Sequence, residues 1–237
     1  MSRVRRPRVA AIDALRGLAI LAMVAYHFCF DLRYYGLIRA DFENDPFWLG
    51  ARALIVASFM LLVGMSLVLA MRSGATRTAF WRRFILIAAC ALAVSAGSYL
   101  MFPDRFIYFG VLHCIAVASL LAAPFVTRPR TALAVGLAII VAGVAFAHPA
   151  FDARALSWLG FTTMKPPTED FVPLAPWSGV VFVGMAFAHA LARVDFRPIA
   201  PLARLPRATQ WLGRHSLAIY MVHQPILLGV LWLVTRR

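Results

Sequence analysis

Arg16-Gly-Leu-Ala-Ile-Leu-Ala-Met-Val-Ala-Tyr-His27-Phe-Cys-Phe-Asp31 opens on a charge and runs through apolar residues. It then carries a histidine and, four residues later, an aspartate. At 1.5 Å per residue His27 lies roughly 16 Å along a helix from Arg16, about half the hydrocarbon core of a bilayer. An ionisable side chain at that depth is costly and points to function. Residues four apart share a helix face, so Asp31 is expected to reach toward the His27 ring and orient it. Asp31 also has Arg52 as an alternative partner near the outer end of the next span.

The rest of the chain is consistent with a membrane setting. Of 237 residues, 62% are hydrophobic, well above the share in a soluble domain. The spans absorb most of the length, so the expectation is all-α: one polytopic membrane helical bundle of about seven transmembrane helices, a single transmembrane domain over residues 1–237. Lys and Arg number 24 against 10 Asp and Glu, a charge of +14. These charges fall in short clusters between apolar runs instead of forming one basic face, which argues against nucleic acid as a partner. Cys29, Cys90 and Cys114 all lie inside apolar segments, an odd and buried set that does not suggest a disulfide framework. The first apolar run is long enough to span and has no small-residue cleavage site, so it is not read as a signal peptide.

Seven spans are expected at residues 11–32, 48–71, 84–102, 108–126, 131–148, 173–192 and 214–234. Alternate connections are basic. The start carries Arg3, Arg5, Arg6 and Arg8; the others carry Arg72, Arg77, Arg82 and Arg83, then Arg128 and Arg130, then Arg193, Arg197, Arg204, Arg207 and Arg214. The opposite connections hold Asp41, Glu43, Asp45, Asp104, Asp152, Glu169 and Asp170. Basic loops face the cytoplasm. The N-terminus is therefore expected inside, with Ser73 and Ala208 on the same side and Thr168 outside. Arg236 and Arg237, at the outer end by this count, run against the rule. The last span, Arg214-His-Ser-Leu-Ala-Ile-Tyr-Met-Val-His223, echoes the first, and the echo places His27 and His223 at similar depths.

His113, in Tyr108-Phe-Gly-Val-Leu-His113, and His223 join His27 as buried histidines. A neutral imidazole can take a proton from a nucleophile. The histidine spacing matches no metal-ligand pattern, so no metal is expected. Asp13 and Arg16 are three residues apart and can pair at the start of the first helix. Arg16, Arg82, Arg83 and Arg214 are the arginines suited to drawing a phosphorylated ligand. Gly64 and Gly184 are read as sites of close helix packing.

Several of these stretches carry a resemblance. They are Ile12-Asp13-Ala-Leu-Arg16-Gly17 with Met23-Val-Ala-Tyr-His27, Phe59-Met-Leu-Leu-Val-Gly64-Met-Ser66, Phe109-Gly-Val-Leu-His113, Asp170-Phe-Val-Pro-Leu-Ala-Pro-Trp177 and Gly213-Arg-His-Ser-Leu-Ala-Ile-Tyr220-Met-Val-His223-Gln-Pro225. Together, in order, they resemble the bacterial heparan-α-glucosaminide N-acetyltransferase-like family of transmembrane acyltransferases. The resemblance implies acetyl-CoA (acyl-CoA) as donor at the cytoplasmic side and a sugar or glycan acceptor at the other. It also implies a multi-pass protein of the bacterial inner membrane. In the lysosomal branch the position matching His27 looks like asparagine, and the working histidine lies in the luminal stretch after the first span. Residues 33–47 here contain no histidine. His27, oriented by Asp31, is therefore the expected base or acyl carrier, with His113 and His223 as rivals that position substrate or stabilise the oxyanion. Asp13, Arg16, Arg82, Arg83 and Arg214 are the expected donor-binding residues. The lipid bilayer is the expected environment, and a homo-oligomer is compatible with this reading. The competing reading is a proton-coupled transporter of a small anion, in which the same buried groups form a proton path.

Overall fold

The computed structural model describes residues 9–235. Arg3, Arg5, Arg6, Arg8, Arg236 and Arg237, used above for orientation, lie outside the described residues. The described chain is helical, without a strand: α1 (Ala10–Tyr34), α2 (Pro46–Arg72), α3 (Arg77–Met101), α4 (Val111–Ala122), α5 (Pro129–Ala145), α6 (Arg154–Ser157), α7 (Leu174–Arg193), α8 (Arg207–Arg214) and α9 (Ser216–Thr235). Short 3₁₀ turns join several of them. Five helices, α1, α2, α3, α7 and α9, are long and apolar enough to cross a membrane. The fourth and fifth expected spans hold the shorter apolar helices Val111–Phe125 and Pro129–Ala145. By helical rise α5 covers only about 26 Å, short of the ~30 Å hydrocarbon core. The all-α membrane fold is as expected; among the described residues five helices reach spanning length by themselves, and the apolar α4 and α5 are shorter.

Local chemistry sets the ends. α1 stops at Gly36, whose φ of 72° is open to glycine without penalty. The Leu37 N–H reaches back to the Leu32 carbonyl at 2.8 Å, and the Gly36 N–H to Arg33 at 2.9 Å, satisfying carbonyls that the helix leaves open. Gly74 closes α2 in the same way. α3 then begins on Thr76, whose hydroxyl accepts the Ala79 N–H at 3.2 Å.

The helices form two compact units, and the division falls inside α2. One unit spans Met60–Asp195. In it α7 packs against α5 and α4, and α3 against α4. Glycines allow these backbones to approach. A Cβ at Gly64 would run into the Val181 carbonyl, and one at Gly184 into that of Leu61, so both glycines mark close helix packing as expected. Before α4 the chain is irregular and tied to residues 168–172: Glu169 N–H bonds Arg105 O at 3.1 Å, and Val172 N–H bonds Phe109 O at 3.3 Å. Thr168 is buried there, with its hydroxyl on the Phe106 carbonyl at 2.8 Å.

The other unit comprises the described parts of Arg8–Phe59 and Phe196–Arg237. α1 is its spine, packed against the 3₁₀ helix Arg197–Arg204, α8 and α9. A Cβ at Gly17 would meet the backbone of Thr209, and one at Gly213 the backbone of Asp13, so α8 lies directly on the start of α1.

Candidate active site

The seam between α1 and α9 collects His27, Asp31 and His223, three of the four side chains expected to carry chemistry. The apolar faces of the two helices pack together, and four side chains interrupt them as two rungs. His27 and His223 form the first, their ring centroids 5.0 Å apart and nearly edge to face. Asp31 and Gln224 form the second, with the Gln224 Nε2–H donating to Asp31 Oδ1 at 2.7 Å. On α1 the rungs are one helical turn apart, about 6 Å by rise. The repeated Leu-Ala-Ile…His pattern in the two spans therefore corresponds to a packed register.

His223 donates from Nδ1 to the Tyr220 carbonyl at 2.7 Å. In a neutral ring the proton on Nδ1 leaves Nε2 as the acceptor. That Nε2 is buried and has no hydrogen-bond partner. Pro225, two residues on, has no N–H to give the Met221 carbonyl four residues back. His27 contacts Tyr26 at 5.9 Å between ring centroids. Tyr26 in turn meets Phe42 and Trp48 edge-on. Buried Phe42 also packs on Phe30 and, at 4.1 Å, on Trp48. An aromatic wall thus stands beside the histidine pair.

Asp31 does not orient His27. One carboxylate oxygen is held by Gln224, and the other has no partner. Nor does Asp31 pair with Arg52. The helical spacing was right, but Gln224 on the facing helix presents a donor at hydrogen-bond distance. The expected Asp31–His27 dyad is replaced by Asp31–Gln224.

At the start of α1, Arg16 Nη1 and Asp13 Oδ1 lie 3.1 Å apart, the pair expected from their spacing. Arg214 ends α8, whose Gly213 sits on the Asp13 backbone. Arg82 and Arg83 are exposed on α3 and belong to the other unit.

His113 also belongs to that unit, and both its ring nitrogens are engaged. Nδ1 accepts the Gly110 N–H at 3.2 Å. The neutral ring then carries its proton on Nε2, which faces Ser95 Oγ at 3.1 Å, while the Ser95 hydroxyl donates to the Ile107 carbonyl at 2.6 Å. Asp170 Oδ2 takes the Val111 N–H at 2.9 Å, placing a carboxylate on the positive end of α4. This arrangement fixes a helix start and leaves no lone pair on His113 for a substrate proton. Among the described residues no three His, Cys, Asp or Glu side chains gather as a metal cluster.

Sequence reasoning missed Gln224 and the role of the Tyr220 carbonyl. Gln224 stood inside the quoted His223-Gln-Pro225 stretch. An uncharged amide in an apolar span was a signal in its own right, since such groups find partners across helices.

A family model described as Heparan-alpha-glucosaminide N-acetyltransferase, catalytic, matches residues 8–225. No curated protein and no solved structure matches the chain.

Proposed function

The chain belongs to the heparan-alpha-glucosaminide N-acetyltransferase family, and from that premise we propose that this multi-pass membrane acetyltransferase moves an acetyl group from acetyl-CoA to a glycan or similar acceptor at the α1–α9 seam. The observation that carries the reading is the unpartnered, buried Nε2 of His223, with its tautomer set by Tyr220 and its ring against His27.

Acetyl-CoA supplies an acetyl group activated as a thioester. His223 Nε2 takes the proton of the acceptor O–H or N–H as that atom bonds to the acetyl carbonyl carbon. As the carbon–sulfur bond breaks, the imidazolium returns the proton to the leaving sulfur. The base is assigned to His223 instead of His27 because His27 lacks the carboxylate expected behind it. The His27 ring lies against that of His223, and its ring N–H is suited to the developing oxyanion. Arg16 and Arg214, near the start of α1, are proposed to draw the phosphates of the donor, with Asp13 steering Arg16. Arg82 and Arg83 are proposed on charge alone. The family match runs through both units, which supports treating residues 1–237 as one functional domain. We place the N-terminus in the cytoplasm of a bacterial cell, the protein in the inner membrane, and α4 and α5 among the spans.

The test uses the purified protein in detergent. Acetyl-CoA at 100 times its Kd stabilises the fold by about 2.7 kcal/mol through mass action, and salt weakens that protection if arginines hold the phosphates. His223→Ala is expected to lower acetyl transfer ~100- to 10,000-fold while protection persists, and His27→Ala to cost less. If acetyl-CoA neither protects nor is consumed, the enzyme reading fails and the anion transporter takes its place.

A further inference from the structure

Three buried atoms in the α1–α9 seam have no hydrogen-bond partner: Asp31 Oδ2, Gln224 Oε1 and His223 Nε2. With Asp31 as a carboxylate, all three are acceptors. The bonds that are made explain this. An ionised carboxylate can only accept, so Gln224 must turn its amide nitrogen to Asp31 Oδ1 and its oxygen away. His223 spends its proton on Tyr220 and keeps a bare Nε2. Asp31 is 1% exposed and His223 9%. Leaving a buried polar atom unpaired is destabilising, and more so if it is charged. A tie that served only to join two helices would gain by satisfying both ends.

We propose that Asp31 and Gln224 form the acceptor-recognition rung of the site, taking hydrogen bonds from the O–H or N–H groups of a donor-rich ligand one helical turn from the His27–His223 pair. The ligand class is a polyhydroxylated or amino-bearing molecule. The phosphates and the thioester carbonyl of acetyl-CoA do not suit this rung, because their oxygens are acceptors and a carboxylate repels the phosphates. Gln224 follows His223 directly in α9. The residue that positions the acceptor and the residue that takes its proton therefore move as one piece of backbone. The inference rests on the acetyl-transfer reading above and adds to it a specificity residue and the side of the reaction that it serves.

The probe is D-glucosamine, which carries both an amine and hydroxyls, with acetyl transfer followed from labelled acetyl-CoA. In Gln224→Leu the KM for D-glucosamine is expected to rise about 10-fold or more, the loss of one or two hydrogen bonds to a bound ligand. Thermal protection by acetyl-CoA is expected to stay at the wild-type level. Asp31→Asn keeps the shape and an acceptor oxygen for Gln224, so it serves if the leucine variant folds poorly. It too is expected to raise the KM. A lowered melting temperature with unchanged KM in both variants overturns the proposal in favour of a structural tie. Acetyl-CoA hydrolysis without any acetylation of D-glucosamine by the wild type overturns the ligand class and leaves the enzyme reading standing. Loss of acetyl-CoA binding and turnover in the wild type overturns the enzyme reading itself.

Discussion

Gly17→Ala tests how tightly the start of α1 is locked to α8. A Cβ at residue 17 would run into the Thr209 carbonyl oxygen, with the carbonyl carbon at 2.8 Å and Thr209 Cγ2 at 3.1 Å. Non-bonded carbons sit best at ~3.5–4.0 Å, so the two segments must separate by roughly 1 Å. The obstructing atoms are mostly backbone, and no rotamer change can move them. Gly213 presents the reciprocal case, its Cβ striking the Asp13 carbonyl. Overpacking of this kind costs ~1–3 kcal/mol. Alanine in place of glycine returns ~0.5–1 kcal/mol within a helix. The net loss is about 0–2.5 kcal/mol, or a fall of up to roughly 10 °C in Tm at 2–4 °C per kcal/mol. Gly50 is the internal control, because a Cβ there meets nothing within 4 Å. Gly50→Ala feels only the helix term and should melt about 1–4 °C higher. The assay is thermal unfolding of the three variants in one detergent, followed by tryptophan fluorescence. Gly17→Ala combined with Gly213→Ala should lose less than the sum of the two, since the first separation makes room for the second. A Gly17→Ala protein that melts above the wild type would refute the packing described here.

His113→Ala is expected to lower stability by about 1–3 kcal/mol, the cost of stranding the Gly110 N–H and Ser95, while acetyl transfer per folded molecule persists; loss of turnover at unchanged stability would return His113 to the mechanism. Single cysteines at Ser73 and Ala208 should react with an impermeant reagent from the cytoplasmic side and one at Met164 from the other, with Met164 chosen because Thr168, although in the same loop, is buried. Labelling at Met164 from the cytoplasm would invert the topology.

The membrane fold was legible because lipid imposes a single rule: backbone groups must be satisfied within the segment, so long apolar runs are helices. Helix ends were less legible. The expected span 108–126 begins at Val111 in the structure because residues before it bond to the segment 168–172, about sixty positions further on, and no local pattern carries that information. The site divides in the same way. Spacing within one helix was enough to join Asp13 to Arg16, and the echo between two spans put His27 and His223 at similar depths, where the structure brings their rings together. Spacing failed for Asp31. The i,i+4 rule says which side chains share a face, not which one offers the better hydrogen bond, and Gln224 offers a donor from the facing helix. His113 shows the other side of the same limit. As a buried histidine it matched His223 in composition and setting, yet the two differ in what holds them. His113 has both ring nitrogens engaged at a helix start, whereas His223 has one nitrogen fixed and the other left bare. A base must have a lone pair to give, so what separates a structural histidine from a chemical one is the count of satisfied nitrogens, and that count depends on partners distant in sequence.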